Sequence, residues 1–256
     1  MRIAIAQVRG QIDDPAANAS KAKMLINNTD VDLLIFPELF ATGYDRNCGQ
    51  YVGNMDAMFN NKVNKYIKEK KCSVIFGSPI SEEGKLYDCA VLTDGENRQI
   101  YRKIHLGVNE RFSDKDIFAA GSEPKIFSFK DIRIGMAIGN DVMFSELFRW
   151  YASKGADMVI CISAVPAQVL EKYEKILQAR CADNFMDMVF VNMVGPDPGF
   201  VMGGGSRYIL SDGTISEKCS DSSDVRLIKL DTERIKRSKE GRGFLKEIRK
   251  DINWDI

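Results

Sequence analysis

A chain of 256 residues with 45% hydrophobic and 28% charged content has the composition of an ordinary globular protein, long enough to bury a core without staples. Its 36 basic and 36 acidic side chains cancel, which argues against a nucleic acid or an anionic membrane as partner. One histidine, and six cysteines without CxxC or zinc-ligand spacing, argue against a metal centre, and reduced thiols in a cytoplasmic protein are the simplest reading.

The chain opens directly in an apolar run, Ile3–Val8, with no apolar leader and cleavage site, so no signal peptide is expected. No apolar stretch approaches the ~20 residues that cross a bilayer. Short β-branched runs then alternate with longer helical patterns. Strands are predicted over Ile3–Val8, Leu33–Phe36, Ser73–Phe76, Ala90–Leu92, Ile134–Ile138, Met158–Ile162, Val189–Val194 and Arg207–Leu210. Helices are predicted over Ala16–Asn27, Met55–Lys70, Ser145–Lys154 and Ala167–Met186. Met158–Ile162 is continuously apolar, as a strand covered on both faces requires. The alternation predicts a layered α/β fold. No repeat or biased linker divides the chain, so residues 1–256 read as one domain. Gly203–Ser206 reads either as a turn or as a place where backbone approaches a ligand. From about residue 231 mixed charges and Gly241 and Gly243 suggest an arm or a helix.

Four segments carry candidate chemistry. In Leu33–Tyr44 an apolar strand ends in Pro37 and Glu38 follows at once. Strand ends of α/β folds face ligand crevices, where desolvation suits a carboxyl to proton transfer; the alternative is a carboxylate that caps the next segment. In Tyr101–Leu106 strand alternation predicts Tyr101, Lys103 and His105 on one face. Lys103 is then either a pocket cation able to stabilise an oxyanion or a solvated residue of an edge strand. Glu110, seven residues after Lys103, lies in a polar loop and is either solvated or a partner of that lysine. In Ile134–Glu146 a strand breaks at Gly139 before a helix. Such a turn presents a nucleophile in many enzymes, and in others is only a glycine turn.

Together and in this order, these segments resemble the nitrilase superfamily of carbon–nitrogen hydrolases, in its amidase-like branch. Its signatures are a strand followed by Pro-Glu, then Tyr-Arg-Lys-x-His-Leu, then Gly-x-x-Ile-Cys-x-Asp-x-x-Phe-Pro-Glu. Residues 33–44, 101–106 and 134–146 align with them. Gln178–Asn184, Asn192 and Gly205-Ser206 resemble later family segments, so the likeness runs from Ile3 to about Ile215. It implies a four-layer α-β-β-α sandwich, usually a homodimer or higher homo-oligomer, that uses no metal or organic cofactor. It implies Glu38 as general base, Lys103 as oxyanion stabiliser and Glu110 as a second, positioning glutamate. Tyr44, Asn140 and Ala164 are the candidates for substrate contact, and Phe40, Thr42 and Met143 are further candidates for the pocket wall. The implied reaction is cysteine attack on a small amide, carbamoyl or nitrile compound, with amides preferred.

Two positions depart from the family pattern. Ser145 stands for the common proline, and serine suits a helix N-cap. Gly139 stands where the cysteine is expected, and glycine carries no nucleophile. Cys161 and Cys181 fall in a strand and a helix, so neither is expected to replace it. Three readings follow. One is an amidase whose cysteine was replaced on purpose, giving an inactive or substrate-trapping variant, and a second is a natural pseudoenzyme that binds a small ligand or partner protein. The third is hydrolysis by water activated directly at Glu38.

Overall fold

The computed structural model describes residues 1–108 and 113–249. In chain order the strands are β1 (Arg2–Gln7), β2 (Leu33–Ile35), β3 (Ser73–Glu82), β4 (Lys85–Thr93), β5 (Arg98–Arg102), β6 (Ile126–Phe129) and β7 (Ile132–Ile138). They continue with β8 (Met158–Ser163), β9 (Asp187–Asn192), the hairpin β10 (Val194–Asp197) and β11 (Phe200–Gly203), then β12 (Arg207–Ile209), β13 (Ile215–Lys218) and β14 (Asp224–Lys229). One six-stranded sheet runs β14-β1-β2-β3-β4-β5 and the other runs β13-β12-β9-β8-β7-β6. At the heart of each lies a parallel triplet, β1-β2-β3 and β7-β8-β9.

Helices α1 (Pro15–Asn28) and α2 (Asn61–Lys70) cover the first sheet, and α3 (Ser145–Ser153) and α4 (Ala167–Ala182) the second. Alternate residues of each strand serve two cores. Ile3, Ile5 and Ile35 meet Ile134, Ile138 and Ile162 between the sheets. Ala4, Ala6 and Leu34 point the other way, onto Ala22, Ile26 and Ile67 of α1 and α2. Val159, Cys161 and Phe190 pack under Phe148 and Leu177 of α3 and α4. The result is the four-layer α-β-β-α sandwich that the sequence implied. β8 is buried along its whole length, which explains its unbroken apolar run.

Local signals set the helix ends. Asp14 caps α1 by accepting from Ala17 N at 2.9 Å, with Pro15 in the first turn. The predicted helix from Met55 begins as a π turn, Asp56–Asn60, before α2. Ser145 is the first residue of α3 and caps nothing; Phe144 precedes it without a side-chain bond. Strands β5, β6, β13 and β14 were not predicted. All four are edge strands, and β13 and β14 bury little, so no apolar period marks them. Gly203–Ser206 is a turn. Gly204 and Gly205 hold φ of +57° and +65°, and Ser206 N donates to Gln7 Oε1 at 2.8 Å.

Beyond residue 231 the chain forms α5 (Thr232–Arg237), capped by Asp231, and a 3₁₀ segment Ser238–Glu247. Gly241 is needed there because a Cβ would fall 2.4 Å from the Phe185 ring. Arg242, 6% exposed, donates to the carbonyls of Ala156 at 2.7 Å, Asn184 at 3.1 Å and Phe185 at 2.9 Å. It thereby ties the loops that feed β8 and β9. We expect Arg242→Ala to lower stability by roughly 2–4 kcal/mol, because bonds to a charged donor are lost and carbonyls are stranded. Denaturant unfolding checks this, and an unchanged midpoint would contradict the clamp.

Candidate active site

The functional candidates gather at the C-terminal ends of strands from both sheets, where open α/β sheets place their ligands. Glu38 follows β2, Lys103 follows β5, Gly139 follows β7 and Ala164 follows β8. Between them lies a cavity of about 380 Å³ whose lining includes Glu38, Tyr44, Lys103, Asp114, Gly139, Asn140 and Ala164.

Lys103 organises the floor. Its Nζ lies 2.6 Å from Glu38 Oε1, 2.7 Å from Asp114 Oδ2 and 3.4 Å from Asp88 Oδ2. All four side chains are at most 3% exposed. Burial alone would lower the lysine pKa, but Glu38, Asp88 and Asp114 outweigh it and hold the pKa well above the usual value. Asp88 faces the same group from β4. Burial first, and the charge of Glu38 second, push its carboxyl well above the ordinary range against the pull of Lys103. Asp114 is fixed by Gly107 N at 2.9 Å and opens a 3₁₀ turn, Asp114–Asp116, capped by Ser113.

Glu38 is held from two sides. Lys103 binds one oxygen, and Ala164 N donates to Oε2 at 2.8 Å. Asn192 keeps that amide aimed. Its side chain accepts from Val165 N at 2.7 Å and donates to Val165 O at 3.0 Å, so the strand end cannot rotate. Ser206 Oγ accepts from Asn192 N at 2.8 Å and braces the clamp from behind.

Gly139 opens a 3₁₀ turn, Gly139–Met143, at φ +47°, a conformation that favours glycine. Asp141, fully buried, makes the turn. It accepts from Ile138 N at 2.9 Å, Tyr101 Oη at 2.7 Å and His105 N at 2.9 Å. His105 Nδ1 lies 2.9 Å from the same carboxylate, and the ring stacks on Phe144 at 3.7 Å. A Cβ built on Gly139 would stand 2.8 Å from Glu38 Oε2 and 3.1 Å from Oε1. The glutamate therefore faces the very point from which a side chain at 139 would project.

A model of the carbon–nitrogen hydrolase family matches residues 2–240. The chain belongs to the carbon–nitrogen hydrolase family. It is 27% identical over 255 residues to an (R)-stereoselective amidase of a Pseudomonas species, covering 97% of this chain and 92% of that protein. It is 25% identical over 245 residues to the 2-oxoglutaramate amidase of Bacillus subtilis, covering 93% of each. Its fold matches a cysteine-to-alanine mutant of the Nesterenkonia AN1 amidase from the nitrilase superfamily, with a TM-score of 0.82 over 95% of this chain and 97% of that one, at 24% identity. The same cysteine-to-alanine mutant has also been solved in complex with butyramide, with a TM-score of 0.81 and 23% identity over 94% of this chain and 96% of that one.

In this carbon–nitrogen hydrolase fold Glu38, Lys103 and Gly139 converge, and Tyr44, Asn140 and Ala164 line the cavity with them. Glu110 lies outside the described residues. Phe40, Thr42 and Met143 do not line the cavity. Phe40 stacks on Phe36 at 4.4 Å in the helix-facing core, Thr42 bonds to Gly43 O, and Met143 packs toward α3 and α4. Tyr101, Lys103 and His105 do not share a strand face, because β5 ends at Arg102. Tyr101 and His105 turn to Asp141, and Lys103 turns to Glu38. Cys161 and Cys181 are fully buried, with thiol pKa values raised chiefly by burial, so neither is a nucleophile. Among the described residues no group of three or more His, Cys, Asp or Glu side chains could hold a metal ion.

Sequence reasoning missed Asp88 and Asp114. Asp88 did leave a signal, as a lone charge inside the apolar run of β4. Its raised pKa sets the sign of a test. The folded chain holds this proton more tightly than the unfolded chain, so its stabilising share is complete below the ordinary aspartate value of 3.8 and is lost as pH rises through the folded value. Asp88→Asn keeps the shape and has no proton to lose. Melting curves should show the variant gaining on the unaltered chain at about pH 8 relative to about pH 4. A Tm difference that is flat with pH would contradict the raised pKa of Asp88.

Proposed function

We propose that the cavity is an amidase-type carbon–nitrogen hydrolase site which, in this chain, stops at binding. It takes up a small amide or carbamoyl compound and holds the reacting carbon over Gly139 without attacking it. One observation carries this reading. The turn, the base and the cationic partner surround position 139, and the side chain that would react is absent, its place faced by Glu38 at 2.8 Å. The amidase relatives and the butyramide complex of the Nesterenkonia enzyme support the choice of an amide.

With a cysteine at 139 the chemistry is complete. Glu38 would take the thiol proton, and the thiolate would add to the amide carbon. Lys103 and the first N–H groups of the 3₁₀ turn, which lack partners within it, would receive the oxyanion. Ammonia or an amine would leave, and water would then release the acid. Glu110 belongs to this proposal as the second glutamate; Asp114 already occupies one side of Lys103. Tyr44, Asn140 and Ala164 form the contact surface. The proposal includes a homodimer.

Gly139→Cys is the direct test. The atoms nearest the added Cβ are the carboxyl end of Glu38, the tip of a side chain and not backbone, so the variant should fold. At φ +47° it should lose roughly 1–2 kcal/mol of stability. Ammonia release from short aliphatic amides should rise at least about a thousandfold over the unaltered chain. A folded variant with no turnover on amides or carbamoyl compounds would overturn the proposal.

A further inference from the structure

A second cavity, of about 250 Å³, lies on the helix-facing side of the first sheet and shares no lining residue with the first cavity. Its floor is made by Phe76, Ser78 and Ile80 of β3 and by Val91 and Thr93 of β4. Ser78 and Thr93 are at most 5% exposed and bring two hydroxyls to that floor. Asp56, Asn60 and Asn64, spaced four apart along the π turn and α2, form a polar stripe on its other side. Phe59, Val63 and Ile67 of the same segment enter the core, as an amphipathic helix requires. The stripe beside them needs no such pattern for packing, yet it lines a cavity against the sheet. The π turn that carries Asp56 and Asn60 is a rare conformation, and such turns occur frequently at functional sites.

The lining holds one acid and one base. Asp56 stands on the helix side, where Asn60 Nδ2 donates to its Oδ1 at 2.9 Å and steadies the carboxylate. Arg98 stands on the sheet side, opposite Thr93 in the β4–β5 pairing. Among the described residues neither side chain forms an ion pair, with the other or elsewhere. A ligand that carries both charges satisfies both. The guanidinium fork of Arg98 matches a carboxylate, and Asp56 with the carbonyl oxygens of Asn60 and Asn64 matches an ammonium. The volume lies below the ~300 Å³ at which drug-sized pockets begin, so the ligand is small. Phe76, Ile80 and Val91 offer an apolar bed to its remaining atoms. We propose that this cavity binds a small zwitterionic α-amino acid with an aliphatic side chain, its ammonium at Asp56 and its carboxylate at Arg98. The inference does not depend on how the cavity over Gly139 is read.

Titration calorimetry with three probes tests this. L-valine carries both charges, isovalerate is the same molecule without the ammonium, and isobutylamine is valine without the carboxylate. L-valine should bind the unaltered chain at least about fivefold more tightly than either. Arg98→Gln should weaken valine at least about fivefold and leave isobutylamine unchanged. Asp56→Asn should weaken valine by a similar factor and leave isovalerate unchanged. Both side chains are exposed, so both variants should fold, and melting curves check that they do. No binding of valine to the unaltered chain would overturn the proposal, and so would valine binding no tighter than the singly charged probes. A valine affinity unchanged in both folded variants would place the ligand elsewhere and overturn it as well.

Discussion

A buried ammonium in contact with three buried carboxyl groups is the constraint on which this molecule turns. Lys103 draws Glu38, Asp88 and Asp114 to one point, and these come from the end of β2, from β4 and from a 3₁₀ turn. None of the four can be removed cheaply, because each would leave charge or a polar acid unpaired away from water. The two sheets are joined at the same level. Glu38 to Ala164, Tyr101 to Asp141 and Gln7 to Ser206 are hydrogen bonds that cross from one sheet to the other. The apolar layer between the sheets fixes their distance, and these polar links fix their register at the strand ends. The site and the sandwich are thus held by one set of interactions.

Gly139 matters in a different way. The turn it begins is made by Asp141, whose carboxylate gathers backbone and side-chain donors from both sheets. That bracket does not depend on what residue 139 carries. A positive φ at this point costs glycine little and any other residue more. A cysteine here would be strained by the fold and brought against Glu38, whereas glycine fits the turn without strain. On the proposed reading the chain keeps a binding site whose geometry was shaped by a reaction it no longer performs.

Much of this was legible in the sequence. The central strands buried on both faces left continuous apolar runs, and Pro37-Glu38 and the break at Gly139 marked two strand ends. The edge strands β13 and β14 carried no comparable pattern, because the side chains of β13 alternate between partial and full exposure and β14 buries only Ile228. Within the site, Glu38, Lys103 and Gly139 could be placed because each lies in a motif. Asp114 could not, because it reaches Lys103 through a loop whose path is set by tertiary contacts. Strand alternation misled at residues 101–105, since the strand stops when Lys103 finds its carboxylates and His105 finds Asp141. Phe40 and Thr42 misled for a related reason. They follow Glu38 closely, but the chain turns at Leu39, which has φ of +48°; Phe40 enters the helix-facing layer and the Thr42 hydroxyl is used by Gly43 O.

The most direct measurement is a crystal structure of the unaltered chain soaked with a short neutral amide. The account predicts an intact amide with its carbonyl carbon over Gly139, its nitrogen within about 3 Å of a Glu38 oxygen, and no covalent link to the protein. A carboxylate product in the cavity would show that this chain completes the reaction without a cysteine at 139 and would contradict the account. So would an amide bound elsewhere with the cavity empty.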